Sequence, residues 1–159
     1  MKQVVTWEEY FMGLAQLSAL RSKDGNTKVG SCIVNGKNRI VGIGYNGFPN
    51  GCDDSEFPWG TEGDFTERKY AYVVHAELNA ILNATRALDG CRIYTSLFPC
   101  NECCKAIIQS GIVEVIYLSD KYRDTPSSLA ARKMLDAAGV IYREYAGSRQ
   151  PIELNLTGC

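Results

Sequence analysis

The chain has 159 residues, 45% of them hydrophobic and 22% charged, with a formal net charge of −1. Such a chain can bury a sizeable core without disulfide staples. No apolar run approaches the ~20 residues needed to cross a bilayer, and no block of Lys or Arg offers a face for nucleic-acid phosphates, so a small substrate is expected, with neither membrane nor nucleic acid as partner.

In chain order, the first element is a helix opened by a Thr6–Glu9 capping box, with Trp7, Tyr10, Phe11, Leu14 and Leu17 as its inward stripe and an end near Arg21. Two strands follow, 29–34 and 39–45, joined by an Asn35-Gly36 hairpin turn. The stretch 46–72 is rich in Gly, Pro, Asp and Asn, and is long enough to suggest a functional loop or local helix. His75 to Leu88 reads as helix, closed by Gly90. A short strand over 92–96 precedes a helix with Pro99 at its first position, running to Ser110. Then come a buried strand over 112–118, a helix from Thr125-Pro126 to Gly139, and a strand over 140–145. The tail from Gly147 has no strong period. The expected architecture is a single α/β domain over 1–159, with one mixed sheet carrying helices on both faces. Met1 to Thr6 lack the order of a secretory signal, so a cytoplasmic location is expected.

The chemistry concentrates in His75-Ala76-Glu77 and Pro99-Cys100-Asn101-Glu102-Cys103. One imidazole and two thiols can hold a zinc ion and leave its fourth position open to water. Cys100 and Cys103, three residues apart in the first turn of a helix, face the same way. The helix N-terminus favours the thiolates that a metal needs. His75 opens another helix, and its i, i+2 relation to Glu77 lets the carboxylate reach over the open position instead of joining the ligands. Cys104 lies ~100° around the helix from Cys103 and should be a core thiol, not a fourth ligand. Cys32 and Cys91 are expected in the core and Cys159 as a free thiol, with Cys52 unassigned. Seven cysteines, an odd number, fit metal binding plus free thiols better than a disulfide framework.

Each half of this pattern alone has bland readings: a helix-capping histidine, a structural zinc, a redox pair. Joined, H-x-E and P-C-x-x-C resemble the zinc-deaminase signature. That resemblance makes Glu77 the group that takes a proton from water, as the water attacks the ring carbon bearing an amine, and returns it to the ring nitrogen and the leaving ammonia.

Further blocks narrow the resemblance. Ser22-Lys23-Asp24, Thr27-Lys28-Val29-Gly30, Gly44-Tyr45-Asn46-Gly47-Phe48-Pro49-Asn50-Gly51-Cys52 and Leu118-Ser119-Asp120-Lys121-Tyr122 are similar to blocks of deoxycytidylate deaminases. The resemblance covers about Thr6 to Glu144. It implies a three-layer α/β/α, cytidine deaminase-like fold with a central mixed five-stranded sheet. It implies conversion of dCMP to dUMP for thymidylate synthesis, one catalytic zinc per subunit, activation by dCTP with Mg2+, inhibition by dTTP, and a homo-hexamer. It also implies site roles. Asn46 meets the deoxyribose hydroxyl, the Ala76 N–H meets the pyrimidine carbonyl, and Val29 packs beneath the ring. Asn26, Thr27, Lys121 and Tyr122 lie near sugar and phosphate. The regulator loop contains Gly44, Asn46, Gly47, Asn50 and Gly51, and Arg86 lies near a subunit contact. The chain departs from some members in having a single histidine, so a second, structural zinc is not expected. Rival readings are another zinc deaminase acting on a nucleoside, free base or tRNA adenosine, a non-catalytic zinc-stabilised module, and a thiol oxidoreductase.

Overall fold

A computed structural model describes residues 4–158; Cys159 lies outside them. The elements are α1 (Trp7–Ala19), β1 (Gly30–Val34), β2 (Ile40–Tyr45), two 3-10 turns (Phe65–Glu67 and Lys69–Ala71), α2 (Ala76–Leu82), β3 (Arg92–Leu97), α3 (Asn101–Gln109), β4 (Glu114–Ser119), α4 (Pro126–Ala138) and β5 (Ile141–Glu144). The strands form one five-stranded sheet in the order β2-β1-β3-β4-β5. β1 runs antiparallel to β2 and β3, while β3, β4 and β5 are mutually parallel. The mixed α/β/α architecture expected from the sequence is the one observed.

Strand alternation sorts the core into two layers. Ile33, Ile93 and Val115 face a cluster containing Ala80 of α2, Cys104 and Ile107 of α3, and Ala131 and Leu135 of α4. Their neighbours Cys32, Val34, Tyr94 and Ile116 face Phe11, Met12 and Ala15 of α1. Cys32, Cys91 and Cys104 are buried thiols, as their apolar surroundings required.

The Thr6–Glu9 capping box forms with both reciprocal bonds, but the inward stripe of α1 is rotated from the expected one. Phe11, Met12, Ala15 and Ala19 are buried, whereas Trp7, Tyr10 and Leu17 are exposed. The cause is a close crossing. A Cβ on Gly30 would stand 1.8 Å from the Ala15 carbonyl oxygen and 2.6 Å from the Ala19 nitrogen. Ala15 and Ala19 are the residues that fit at the crossing itself; Phe11 and Met12 pack with Cys32 and Val34 beyond it, and Trp7 stacks on Phe11 at 5.4 Å.

The expected β1–β2 hairpin forms. Asn35 Oδ1 accepts the N–H groups of Lys37 and Arg39, and the left-handed residue is Asn38 (φ 58°). Two other expectations shift. Helix α2 stops at Leu82, not Leu88, because its end is diverted onto edge strand β2: Asn83 Nδ2 donates to the Ile43 carbonyl and the Thr85 N–H to that of Val41. Helix α3 begins at Asn101, with Cys100 as its N-cap and Pro99 one residue outside.

Gly30→Ala is expected to cost about 3 kcal/mol or more, the penalty of overpacking against a backbone that cannot yield. Gly36, with nothing within 4 Å of a new Cβ and no positive φ, should tolerate alanine within about 0.5 kcal/mol. Urea denaturation of the two variants checks the contrast.

Candidate active site

Two helix starts converge at the end of β3. His75 is the N-cap of α2, and Cys100 and Cys103 are the N-cap and third residue of α3. His75 Nδ1 lies 3.4 Å from Cys100 Sγ and 3.5 Å from Cys103 Sγ, and all three donor atoms fall within 4.8 Å of one another. Tetrahedral placement about zinc at ordinary bond lengths separates an imidazole nitrogen from a thiolate sulfur by ~3.5 Å, so the donor set fits zinc in both chemistry and spacing. Cys104 Sγ turns away and donates to the Pro99 carbonyl at 3.8 Å. No other metal-ligating cluster occurs among the described residues.

Hydrogen bonds within the cluster divide its protons unequally. Cys100 sits well below the ordinary thiol range, because the Cys103 thiol, the His75 ring and the Cys103 N–H all hydrogen-bond to its sulfur against the opposing pull of burial. The Cys103 thiol is raised in consequence, by sharing its proton with Cys100 and by its own burial. The same Cys100 contact raises His75. Glu77, on the second residue of α2, is 4% exposed. It accepts from Cys103 Sγ at 3.6 Å, and burial lifts its carboxyl above the usual carboxylate range.

These groups open onto a cavity of about 610 Å³. Its lining brings together most of the residues expected at a substrate site: Asn26, Thr27, Val29, Asn46, Ala76 and Tyr122. Ala76 contributes the first N–H of α2, which helical pairing leaves free. Lys121 stands at the rim, its Nζ 3.5 Å from Thr27 Oγ1 and 5.0 Å over the Tyr122 ring. Asn46 is more constrained than a ligand-contacting side chain need be. Its Oδ1 accepts from the Val29 N–H at 2.9 Å, and its Nδ2 donates to the Thr27 carbonyl at 3.0 Å and to Asp24 Oδ2 at 3.3 Å. One Oδ1 lone pair remains. A larger apolar groove of about 800 Å³ between α1 and the C-terminal tail contains none of the expected site residues.

The residues expected in the regulator loop do not gather into one surface. Gly44 is buried beneath α2, where a Cβ would meet the Ala80 nitrogen at 2.3 Å and the Ala76 carbonyl at 2.4 Å; helix packing accounts for that glycine. Asn46 is buried in the cavity wall. Asn50 and Gly51 are exposed, and Gly47 exchanges two backbone hydrogen bonds with Val74. Arg86 is exposed in the turn after α2, beyond the end of the helix on which it was expected.

Sequence reasoning missed two parts of the wall. Lys69, in the long loop, pairs with Asp24 at 2.6 Å, both side chains being under 10% exposed. Arg132 holds Asp120 and Ser128 and lies 4.0 Å over the Phe98 ring, so that three cavity-lining side chains share one clamp. Neither residue belongs to a local motif. Only tertiary contact with Asp24 and Phe98 gives them a place.

Residues 5–119 match the family model described as the cytidine and deoxycytidylate deaminase zinc-binding region. The chain is 57% identical to the deoxycytidylate deaminase of Homo sapiens, over 87% of this chain and 79% of that protein. It is 53% identical to a probable deoxycytidylate deaminase of Drosophila melanogaster, over 98% and 80%. Among solved structures, the dCMP deaminase of cyanophage S-TIM5 in complex with dCMP and dUMP superposes with a TM-score of 0.70 at 27% identity, covering 86% of this chain and 95% of that one.

Asn46→Ala should destabilise the fold by about 2 kcal/mol, since it strips partners from the buried Val29 N–H and the Asp24 carboxylate. Urea titration measures it, and an unchanged midpoint would contradict the bonding described.

Proposed function

From the premise that this chain belongs to the cytidine and deoxycytidylate deaminase family, we propose that it is a single deaminase domain over residues 1–159. In this reading it hydrolyses dCMP to dUMP and ammonia and so supplies dUMP for thymidylate synthesis. The observation that carries this reading is the position of Glu77: a buried carboxyl beside a nitrogen and two sulfurs spaced for zinc, at the wall of a cavity of nucleotide size.

His75, Cys100 and Cys103 hold one zinc per subunit in this reading. Bound there, zinc supplies Lewis acidity that brings the pKa of water down to about 7. Glu77 is the proton carrier. It takes the proton released as water adds to the ring carbon bearing the amine, hands it to the adjacent ring nitrogen, and assists departure of the amine as ammonia. Its position suits this work, because the buried carboxyl lies within hydrogen-bonding reach of the donor cluster. The Ala76 N–H receives the pyrimidine carbonyl and Val29 packs beneath the ring. The remaining Asn46 lone pair accepts the sugar hydroxyl. Asn26, Thr27, Lys121 and Tyr122 surround the sugar and phosphate at the rim.

Control by dCTP with Mg2+ and by dTTP belongs to the same proposal, with Gly47, Asn50 and Gly51 at the regulator site. The paired Gly47–Val74 bonds support it mechanically: they tie the loop to the residue preceding His75, so a ligand that moves the loop also moves a zinc-holding side chain. Assembly as a homo-hexamer, with Arg86 at a subunit contact, and a cytoplasmic location complete the reading. No helix among the described residues is long and apolar enough to cross a membrane.

Glu77→Gln should retain one zinc per chain while turnover of dCMP falls by about 10²–10⁴-fold. Ammonia release alongside metal analysis checks both. A fully active variant removes Glu77 from the chemistry. Faster turnover of deoxycytidine or CMP than of dCMP would move the substrate assignment to another member of the family.

A further inference from the structure

The cavity is lined by three carboxylates, those of Asp24, Glu77 and Asp120, and by one ammonium, that of Lys69. The chemistry above uses neither Asp24 nor Lys69, yet both are nearly excluded from solvent, at 2% and 8% side-chain exposure. Asp24 is a hub. Its Oδ1 accepts the N–H groups of Asn26 at 2.8 Å and Thr27 at 3.2 Å; its Oδ2 accepts Lys69 Nζ at 2.6 Å and Asn46 Nδ2 at 3.3 Å. Lys69 is anchored in turn by its backbone. Its N–H donates to the Gly60 carbonyl at 2.8 Å, and its own carbonyl accepts the Val73 N–H at 2.9 Å. The pair therefore fastens the long loop, which runs on into His75, to the 24–29 segment on the other side of the cavity.

We infer that Asp24 and Lys69 form a positioning pair for substrate binding: Lys69, acting through Asp24, fixes the Asn46 amide and the Asn26–Thr27 backbone in the orientation that receives the sugar end of a deoxynucleotide. The inference rests on the substrate reading above. An amide can present either its oxygen or its NH2 group to a ligand. Here the Asp24 carboxylate and the Thr27 carbonyl take both NH2 hydrogens, which leaves oxygen as the face offered to the cavity. Without Lys69, Asp24 becomes a buried carboxylate with no countercharge. It then repels an anionic substrate and relaxes towards solvent, leaving the Asn46 amide oriented by its Val29 and Thr27 bonds alone.

The test compares zinc-loaded wild type with Lys69→Met, Asp24→Asn and the double variant, reading KM and kcat for dCMP and zinc per chain. Each single variant should raise KM by about tenfold or more, with kcat per bound zinc falling less than about threefold. The double variant should be little worse than the worse single one, since both act through the same contact. Lys69→Met alone risks unfolding. The double variant removes both charges together, keeps the fold, and still carries the KM defect. An unchanged KM in the double variant, single losses that multiply, or a loss confined to stability and zinc content would overturn the inference. Wild type that fails to turn over dCMP removes the substrate reading and this inference with it. Wild type that does, beside variants with normal KM, removes this inference alone.

Discussion

The meeting of one imidazole nitrogen with two sulfurs sets the terms for the rest of the molecule. A nitrogen–sulfur spacing of about 3.5 Å must be held by groups that lie 25 and 28 residues apart, with every cysteine among the described residues free. The fold does this by starting two helices at the same place. The N-caps of α2 and α3 are themselves donors, so the backbone geometry that starts each helix also aims each donor. Glu77 comes with the same device: two residues after His75, it is carried inward by the first turn of α2 while His75 remains outside that turn.

That arrangement depends on close packing elsewhere. Helix α2 lies against β2 over Gly44, with no room for a methyl group, and its C-terminal end is tied to β2 carbonyls by Asn79, Asn83 and the Thr85 N–H. Helix α3 is held by the burial of Cys104 and Ile107. The opposite wall of the cavity is organised by charge, not by packing: Asp24 collects four donors, and the hydrogen bonds from Lys69, Asn26 and Thr27 outweigh burial to keep its carboxyl below the usual range. One wall is set by sterics and the other by an ion pair, and the substrate space is what lies between.

Local chemistry made much of this legible in the sequence. The capping box at Thr6, the strand alternation around Ile33 and Ile93, and the helix starts at Pro126 and near Pro99 are short-range signals, and they predict the element order and the five-stranded sheet. The zinc-spaced donors were visible because His75, Cys100 and Cys103 sit in compact motifs. Failures came where tertiary contact decides. The apolar spacing from Trp7 to Leu17 predicts an inward stripe, yet the crossing at Gly30 admits only small side chains. Propensity extends α2 to Leu88 because it does not register the capture of Asn83 and Thr85 by an edge strand. Resemblance puts Gly44 in the regulator loop, whereas its contacts make it a packing residue. Lys69 and Arg132 were unreadable because their partners, Asp24 and Asp120, are remote in sequence or defined only by burial.

In the proposed reading three side chains hold the metal and no fourth does. X-ray absorption spectroscopy at the zinc edge, on protein with its metal content quantified, tests this directly. The expected result is one zinc per chain with two sulfur donors at ~2.3 Å and two nitrogen or oxygen donors at ~2.0 Å. A third sulfur at the shorter sulfur distance, as Cys104 would supply, closes the site and contradicts it.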